Sequence, residues 1–211
     1  MNRRNGCCWP PRPVSYRTAC ASFTKANRLC IKPGLCIAAM TPLLTLIAAV
    51  SSDGFISRGQ GVPWDMPDDR ASFRAYTHGK WLLLGRRTYE EMLGWFSDHH
   101  PLVLTLNEKF VPFLGERVSS VSSALRQAGE ARQAELVVCG GAAAYEAAMP
   151  QADRLIITHV NNALGSGVRF PVFSHDDWEP VTRQEHPADS HHAHSFSIVT
   201  YQRVRHYQHA A

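Results

Sequence analysis

The chain has 211 residues, 45% hydrophobic and 19% charged, a composition typical of one globular domain and not of a fibrous or disordered chain. The formal net charge of +4 is unevenly distributed along the sequence. Residues 1–39 hold seven of the 22 basic residues and none of the 18 acidic ones, so residues 40–211 carry 15 basic and 18 acidic residues, a net charge of −3. The body therefore lacks the basic excess that indicates nucleic-acid binding.

The leader, residues 1–39, is set apart by its composition. It contains five of the six cysteines and four prolines, with no apolar periodicity, so we expect it to be disordered. It partly matches an organelle transit peptide. We favour instead upstream sequence translated from too early a start, because Met40 falls just before the first predicted strand. Cys139 alone lies in the body, which predicts a reducing, cytoplasmic environment without disulfides.

The predicted elements begin with an apolar run over residues 43–50, which has the length of a strand buried on both faces. The wider apolar stretch, 35–50, is shorter than the roughly 20 residues of a membrane span and contains Pro42, so we expect no membrane association. A helix is predicted over 67–77. Further strands are predicted over 81–84, 102–106, 136–139 and 155–160, further helices over 88–93, 122–131 and 142–149, and a final hairpin over 181–185 and 195–203.

This alternation predicts the fold class. Strands that alternate with helices form a mostly parallel central sheet with helices on both faces. The sequence therefore predicts a single α/β domain over residues 40–204 with a C-terminal antiparallel hairpin, followed by a tail over 205–211.

An acidic pair marks the start of the first helix. Pro67 suits an early helical position, and Asp68 and Asp69 lie near the positive end of the helix dipole. Asp69 and Phe73 are four residues apart and share one face. A carboxyl group beside this phenyl ring, under a loop that carries Trp64, is partly desolvated, which raises its pKa toward values useful for proton donation. Taken alone, the pair is also compatible with simple capping of a surface helix.

Two strand-to-helix turns predict a nucleotide site. Gly85 leaves a strand and is followed by Arg86 and Arg87, whose guanidinium groups suit phosphate. Gly140 and Gly141 leave a neighbouring strand, where the absence of side chains lets the backbone approach a pyrophosphate at a helix N-terminus. Either turn alone is ordinary local structure, but together they favour nucleotide binding.

The segment 62–73 resembles the substrate-binding loop and helix of dihydrofolate reductases, with Pro-Trp, a second Pro, Asp and Phe at matching spacing. Segments 44–50, 85–90, 137–141, 153–159 and 170–179 resemble the same family in the same order, over about 165 residues. The resemblance implies hydride transfer from NADPH to C6 of a dihydropterin. It implies that Asp69 is the catalytic residue, that it holds the amino-pyrimidine edge, and that it favours protonation of the ring.

The resemblance also implies a set of binding residues. For the small-molecule substrate they are Ala49, Trp64, Phe73, Met92 and Thr158, to which we add Arg74 on the substrate helix. For NADPH they are Ala49, Ile56, Gly85, Arg86, Arg87, Thr88, Thr105, Cys139, Gly140, Gly141, Ala142 and Tyr145, with the Gly140–Gly141 bond cis. Residues 51–64, rich in glycine, would form the lid that excludes water.

The chain also departs from the family pattern. His99 stands where an arginine usually holds the glutamate tail of the substrate, and Arg74 could reach that tail instead. Ala143 and Leu106 stand where basic and hydroxyl side chains are common near the adenosine phosphate. Ser166 and Gly167 replace the usual Gly-Asp in the loop that braces the lid.

Three functions remain open from the sequence. The first is dihydrofolate reduction, the second is reduction of another pterin or an aminopyrimidine, and the third is nucleotide binding without catalysis. The histidines of the hairpin loop, residues 186–194, lack carboxylate or cysteine partners at ligand spacing, so we predict no metal site. We expect a monomer that binds neither nucleic acid nor membranes.

Overall fold

A computed structural model describes residues 41–204. The predictions for the leader, for its boundary at Met40 and for the tail over 205–211 lie outside the described residues. The strands are β1 (Leu43–Ser51), β2 (Phe55–Ser57), β3 (Trp81–Gly85), β4 (His100–Leu104), β5 (Glu116–Val118), β6 (Glu135–Gly140), β7 (Arg154–Val160), β8 (Val168–Arg169), β9 (Trp178–His186) and β10 (Phe196–Arg203). The helices are α1 (Pro67–Thr77), α2 (Arg86–Glu91), α3 (Val121–Glu130) and α4 (Ala142–Ala148), with short 3₁₀ turns at Leu93–Trp95 and Met149–Gln151.

Eight strands form one sheet in the order β5-β4-β3-β6-β1-β7-β10-β9. The six strands from β5 to β7 are parallel to their neighbours, whereas β10 pairs antiparallel with both β7 and β9. The strands β2 and β8 form a separate antiparallel ribbon. The predicted α/β fold with a terminal hairpin is confirmed.

The core lies on both faces of the parallel strands. Alternate residues of β1 enter different clusters: Leu44 and Leu46 pack with the side chains of α3 and α4, and Ile47 packs with Leu82 and Val137 on the other face. Because both faces are covered, these strands read as continuous apolar runs. Among residues 41–204, no helix is long and apolar enough to cross a membrane.

Several elements differ from the sequence prediction. The strand predicted over 102–106 is β4, two residues earlier, and Leu106 is 84% exposed beyond its end. The helix predicted over 88–93 begins at Arg86, directly after Gly85, and ends at Glu91. The strands β2, β5 and β8 were missed because each has only two or three residues, too few for a periodic pattern.

Helix α1 has the predicted limits but few buried residues. Among its eleven residues only Thr77 is buried, while Asp69, Phe73 and Tyr76 are partly exposed. The chain enters the helix through Met66, which is buried in a cluster with Trp64 and other apolar side chains. The helix is therefore held by contacts at a few points more than by a continuous apolar face.

Candidate active site

A cavity of about 1050 Å³ opens at the carboxyl ends of the parallel strands, between α1 and the turns into α2 and α4. This is where ligands bind in sheets of this kind. The predicted substrate residues that line it are Ala49, Trp64, Asp69, Phe73, Met92 and Thr158. The predicted cofactor residues that line it are Ala49, Ile56, Gly85, Arg86, Arg87, Thr88, Cys139, Gly140, Gly141, Ala142 and Tyr145.

Two predicted residues lie elsewhere. Thr105 lines an adjoining cavity of about 480 Å³ that shares Gly85 and Leu104 with the main one. Arg74 is on the exposed side of α1, with its guanidinium carbon 4.8 Å from the ring centre of Trp95, which does line the main cavity. The structure thus joins most of the predicted residues in one place and puts these two at its border.

Asp69 is the ionisable group at the centre of the substrate side. The first turn of α1 presents it to β7, where the Thr158 hydroxyl donates a hydrogen bond of 2.5 Å to Asp69 Oδ1. Burial raises the pKa of Asp69, and this outweighs the Thr158 hydrogen bond and the more distant charges of His186 and Arg70, which lower it. The predicted direction of the pKa shift is confirmed, and a carboxyl group of this kind can hold a proton closer to neutrality.

Aromatic side chains form the walls of the substrate side. Phe73 and Trp95 pack with their ring centres 5.1 Å apart, and Met92 lines the same cavity. The indole nitrogen of Trp64 is buried and makes no hydrogen bond within residues 41–204. Because a buried donor without a partner is costly, this nitrogen fits a polar ligand atom or an ordered water in the cavity.

His99 does not provide a free cation near the cavity. Its side chain is only 6% exposed and packs beside Trp95 and Phe96. Its Nδ1 lies 3.2 Å from Asp98 Oδ1, without hydrogen-bond geometry. On this part of the surface, Arg74 beside Trp95 is therefore the better-placed positive charge.

The turn after β6 forms a cradle for a nucleotide. The Gly140–Gly141 peptide bond is cis, as the resemblance implied. A Cβ atom on Gly140 would lie 3.1 Å from Thr88 Cγ2, and one on Gly141 would lie 3.0 Å from Thr88 Oγ1. A Cβ atom on Gly85 would lie 3.3 Å from the Gly141 nitrogen. These turns approach each other so closely that an added side chain would require its neighbours to shift, and they present bare backbone to the cavity, which suits a dinucleotide.

Three other residues of the cofactor side are structural, unreactive or already paired. The Tyr145 hydroxyl donates to the Ile47 carbonyl at 2.7 Å, and burial raises its pKa, so it stays protonated and ties α4 to β1. Burial likewise raises the pKa of the Cys139 thiol, which disfavours a reactive thiolate. Arg86 Nη1 bonds both carboxylate oxygens of Glu90, at 2.8 and 3.0 Å.

The predicted lid, residues 51–64, contacts residues 164–169. Asp53 accepts hydrogen bonds from the Ser51 hydroxyl and from the backbone nitrogens of Leu164 and Gly165. The hydrogen bond from Ser51 is the largest cause that lowers the pKa of Asp53, to about 2. A Cβ atom on Gly167 would lie 2.1 Å from the Ser57 carbonyl oxygen, so β8 passes directly against the lid. The sequence has Ser166 and Gly167 in place of the usual Gly-Asp of this loop. Asp53 supplies a carboxylate to the contact between the two segments.

Sequence reasoning missed several residues of the site. Trp95 has no assigned role in the motifs, although aromatic residues after Met92 indicate a cavity wall. Tyr76 also lines the cavity and donates to Glu135 on β6; its spacing of seven from Asp69 placed it on the same helix face. His192, considered only as a metal ligand, contacts the first turn of α1. No local signal predicts this contact, because its partners are 124 residues apart.

A family model for dihydrofolate reductase matches residues 43–203. The chain belongs to the dihydrofolate reductase family. A type 3 dihydrofolate reductase of Salmonella typhimurium is 31% identical over 163 residues, covering 77% of this chain and 99% of the relative. The dihydrofolate reductase HdrB of Haloferax volcanii is 31% identical over 166 residues, covering 75% and 82%.

Solved structures agree. A dihydrofolate reductase from Enterococcus faecalis, complexed with NADP(H) and RAB-propyl, superposes with a TM-score of 0.71 at 25% identity, covering 78% of this chain and 98% of that one. The chain is thus an oxidoreductase of the dihydrofolate reductase family. Within residues 41–204, no group of three or more His, Cys, Asp or Glu side chains is arranged to hold a metal ion.

Proposed function

We propose that this enzyme reduces 7,8-dihydrofolate to tetrahydrofolate with NADPH. The observation that carries the proposal is the pairing, in one cavity, of a buried carboxyl group with a bare glycine cradle. Asp69 and Thr158 provide the hydrogen-bonding edge, and Gly140 and Gly141 open the backbone where a dinucleotide fits. The carboxyl group suits a pterin and the glycine cradle suits a reduced nicotinamide dinucleotide, and these are the two ligands of the hydride transfer.

On the substrate side, Asp69 accepts hydrogen bonds from the amino-pyrimidine edge of the pterin, and Thr158 holds the carboxyl group in place. NADPH, when bound, supplies the hydride to C6. The nitrogen next to C6 takes up a proton, so a hydride and a proton are added together across one C=N bond. Because Asp69 is buried, its negative charge is poorly solvated, which raises the pKa of its carboxyl group and favours the protonated form of the bound ring.

The apolar walls position the rings and exclude water. Phe73 and Met92 would contact the pterin ring, and Ala49 and Ile56 would lie beside the nicotinamide. The buried indole nitrogen of Trp64 would donate to an ordered water at the pterin. Positioning of this kind contributes a large part of the rate acceleration in two-substrate reactions.

On the cofactor side, the backbone of Gly140, Gly141 and Ala142 and the Thr88 hydroxyl would hold the diphosphate. Arg87 and Arg86 would also contact the phosphates, and Arg86 would leave Glu90 to do so. Thr105, in the adjoining cavity, would contact the adenosine end.

The substrate's glutamate tail would lie against Arg74 and Trp95. The guanidinium of Arg74 stacks on the Trp95 ring at the border of the cavity, which leaves its edge free to pair with a carboxylate. The burial of His99 also favours a second candidate, a reductase of a pterin without the tail, because no free cation stands at that position. We further propose that the protein is a monomer and that it is cytoplasmic. Its body has no excess of basic residues, and its single thiol is buried.

NADPH oxidation measured with dihydrofolate and with a dihydropterin that lacks the glutamate tail tests the proposal. Reduction of dihydrofolate with the higher kcat/KM supports it. A higher kcat/KM for the tail-less compound would favour the second candidate, and no oxidation with either would reject both.

A further inference from the structure

The start of α1 has no capping side chain of its own. Met66 occupies the N-cap position without a side-chain hydrogen bond, and Pro67 has no N–H group. The first free amide is that of Asp68, directly before Asp69. It donates to Nε2 of His192, in the loop between β9 and β10, at 3.3 Å.

A carboxylate sets the orientation of this imidazole. Asp189 Oδ1 accepts from the backbone nitrogens of His191 and His192, both at 2.8 Å, and lies 2.9 Å from His192 Nδ1. A carboxylate accepts, so Nδ1 carries the hydrogen and Nε2 presents its lone pair to the helix. The Asp189 amide also donates to the His192 carbonyl at 3.0 Å, which closes the loop.

We propose that His192 is a positioning residue for Asp69: its neutral imidazole, oriented by Asp189, caps the catalytic helix from the distant hairpin and fixes the carboxyl group against Thr158. The proposal rests on the function proposed above for Asp69. It assigns a role to a side chain that does not line the main cavity.

The helix needs such a contact because its apolar packing is sparse. Thr77, near its end, is the buried residue among its eleven. Polar contacts hold the helix at three points along its length. Tyr76 in the last turn contacts Glu135, and Asp69 in the first turn contacts Thr158. The amide of Asp68, at the start, contacts His192. The predicted lid, residues 51–64, ends three residues before Pro67. Without the cap, the first turn of α1 would move together with the predicted lid.

The burial of His192 and the amide that faces its Nε2 suit an acceptor. Its side chain is 4% exposed and lies 5.5 Å from the Phe196 ring, on which His186 stacks at 4.4 Å. The carboxylate of Asp68 lies 3.7 Å from His192 Nε2 and 3.9 Å from His186 Nδ1. If Nε2 carried a hydrogen, that hydrogen would face the Asp68 amide hydrogen. The imidazole would then reorient toward the Asp68 carboxylate, and the cap would be lost.

Substitution of His192 tests the role. In His192→Ala, single-turnover hydride transfer should slow about 5- to 10-fold and dihydrofolate should bind correspondingly more weakly, the scale of a lost helix cap. NADPH affinity should stay within about twofold, since the cofactor side is untouched. The pH profile of hydride transfer should also shift, because the pKa of Asp69 depends on its burial and on the Thr158 bond. A purely structural loss would not move that profile.

Matched variants separate the cap from general damage. His191→Ala removes the exposed neighbouring ring in the same loop and should behave as wild type. His192→Gln offers a side-chain carbonyl near the position of Nε2 as a replacement acceptor and should recover most of the rate. Asp189→Ala should resemble His192→Ala, and the double variant should be no worse than either alone, because both act through one contact. If His192→Ala fails to fold, His192→Gln and Asp189→Ala carry the same comparison.

Imidazole ¹⁵N NMR of the full chain gives a readout apart from activity. We expect His192 to be the Nδ1-protonated tautomer in wild type and to lose this preference in Asp189→Ala. The proposal is overturned if His192→Ala matches His191→Ala in rate and pH profile, or if NADPH and dihydrofolate affinities fall together. A wild-type enzyme that does not reduce dihydrofolate would instead overturn the proposed function, and the tautomer measurement would still decide whether the cap exists.

Discussion

The contact between β8 and the lid gives a prediction whose size follows from the geometry. Gly167 has φ of 143°. An added Cβ atom would lie 2.1 Å from the Ser57 carbonyl oxygen, which is far inside van der Waals contact. Gly165, two residues earlier, has φ of 76° and no atom within 4 Å of such a Cβ. Backbone strain alone costs about 1 to 3 kcal/mol, so Gly165→Ala should lower the melting temperature by several degrees.

Gly167→Ala adds a steric clash to that strain. The clash is relieved only if β2 separates from β8 by more than about 1 Å, which costs a further 1 to 3 kcal/mol on the scale of overpacking. Urea unfolding of both variants measures the difference, and single-turnover hydride transfer should fall in Gly167→Ala and not in Gly165→Ala. Equal stability and equal rates in the two variants would show that the lid does not rest on β8.

Three further predictions concern the substrate side. Thr158→Val removes the hydrogen bond that lowers the pKa of Asp69, so the pH profile of hydride transfer should move to higher pH, with Thr158→Ser unchanged. The folded pKa of Asp69 is raised, so its contribution to stability is present below the unfolded pKa and is lost as pH rises through the folded pKa. Asp69→Asn should therefore melt higher than wild type at neutral pH, and this gain should vanish in acid. Arg74→Ala should weaken dihydrofolate about two- to fivefold, as for an exposed charge pair, and leave a tail-less dihydropterin unaffected in the same binding assay.

Local rules were sufficient where a residue fixes its own backbone. Proline at the first position set the start of α1 at Pro67, and the acidic pair after it is where the sequence predicted it. The glycines at 140 and 141 identified the cradle, where their neighbours leave little space for a side chain. The direction of the Asp69 pKa shift followed from one helix face and one apolar loop.

Tertiary contacts were beyond the sequence. The ribbon of β2 and β8 joins residues about 110 apart, and neither strand is long enough to show a period. His99 could be read as an exposed replacement for an arginine, but packing against Trp95 and Phe96 turns it inward. His192 stood among other histidines, and nothing in its neighbourhood indicated a helix start 124 residues earlier.

The most direct test of the account is single-turnover hydride transfer by Asp69→Asn across pH. The variant keeps the size of the side chain and an oxygen that can accept from Thr158, while it removes the carboxyl group. With dihydrofolate and NADPH at neutral pH, the rate should fall by about 10²-fold or more, the scale of general acid–base catalysis, and should recover as the pH is lowered and solvent protonates the ring. A rate close to wild type at neutral pH would contradict the assignment of Asp69 and, with it, the proposed mechanism.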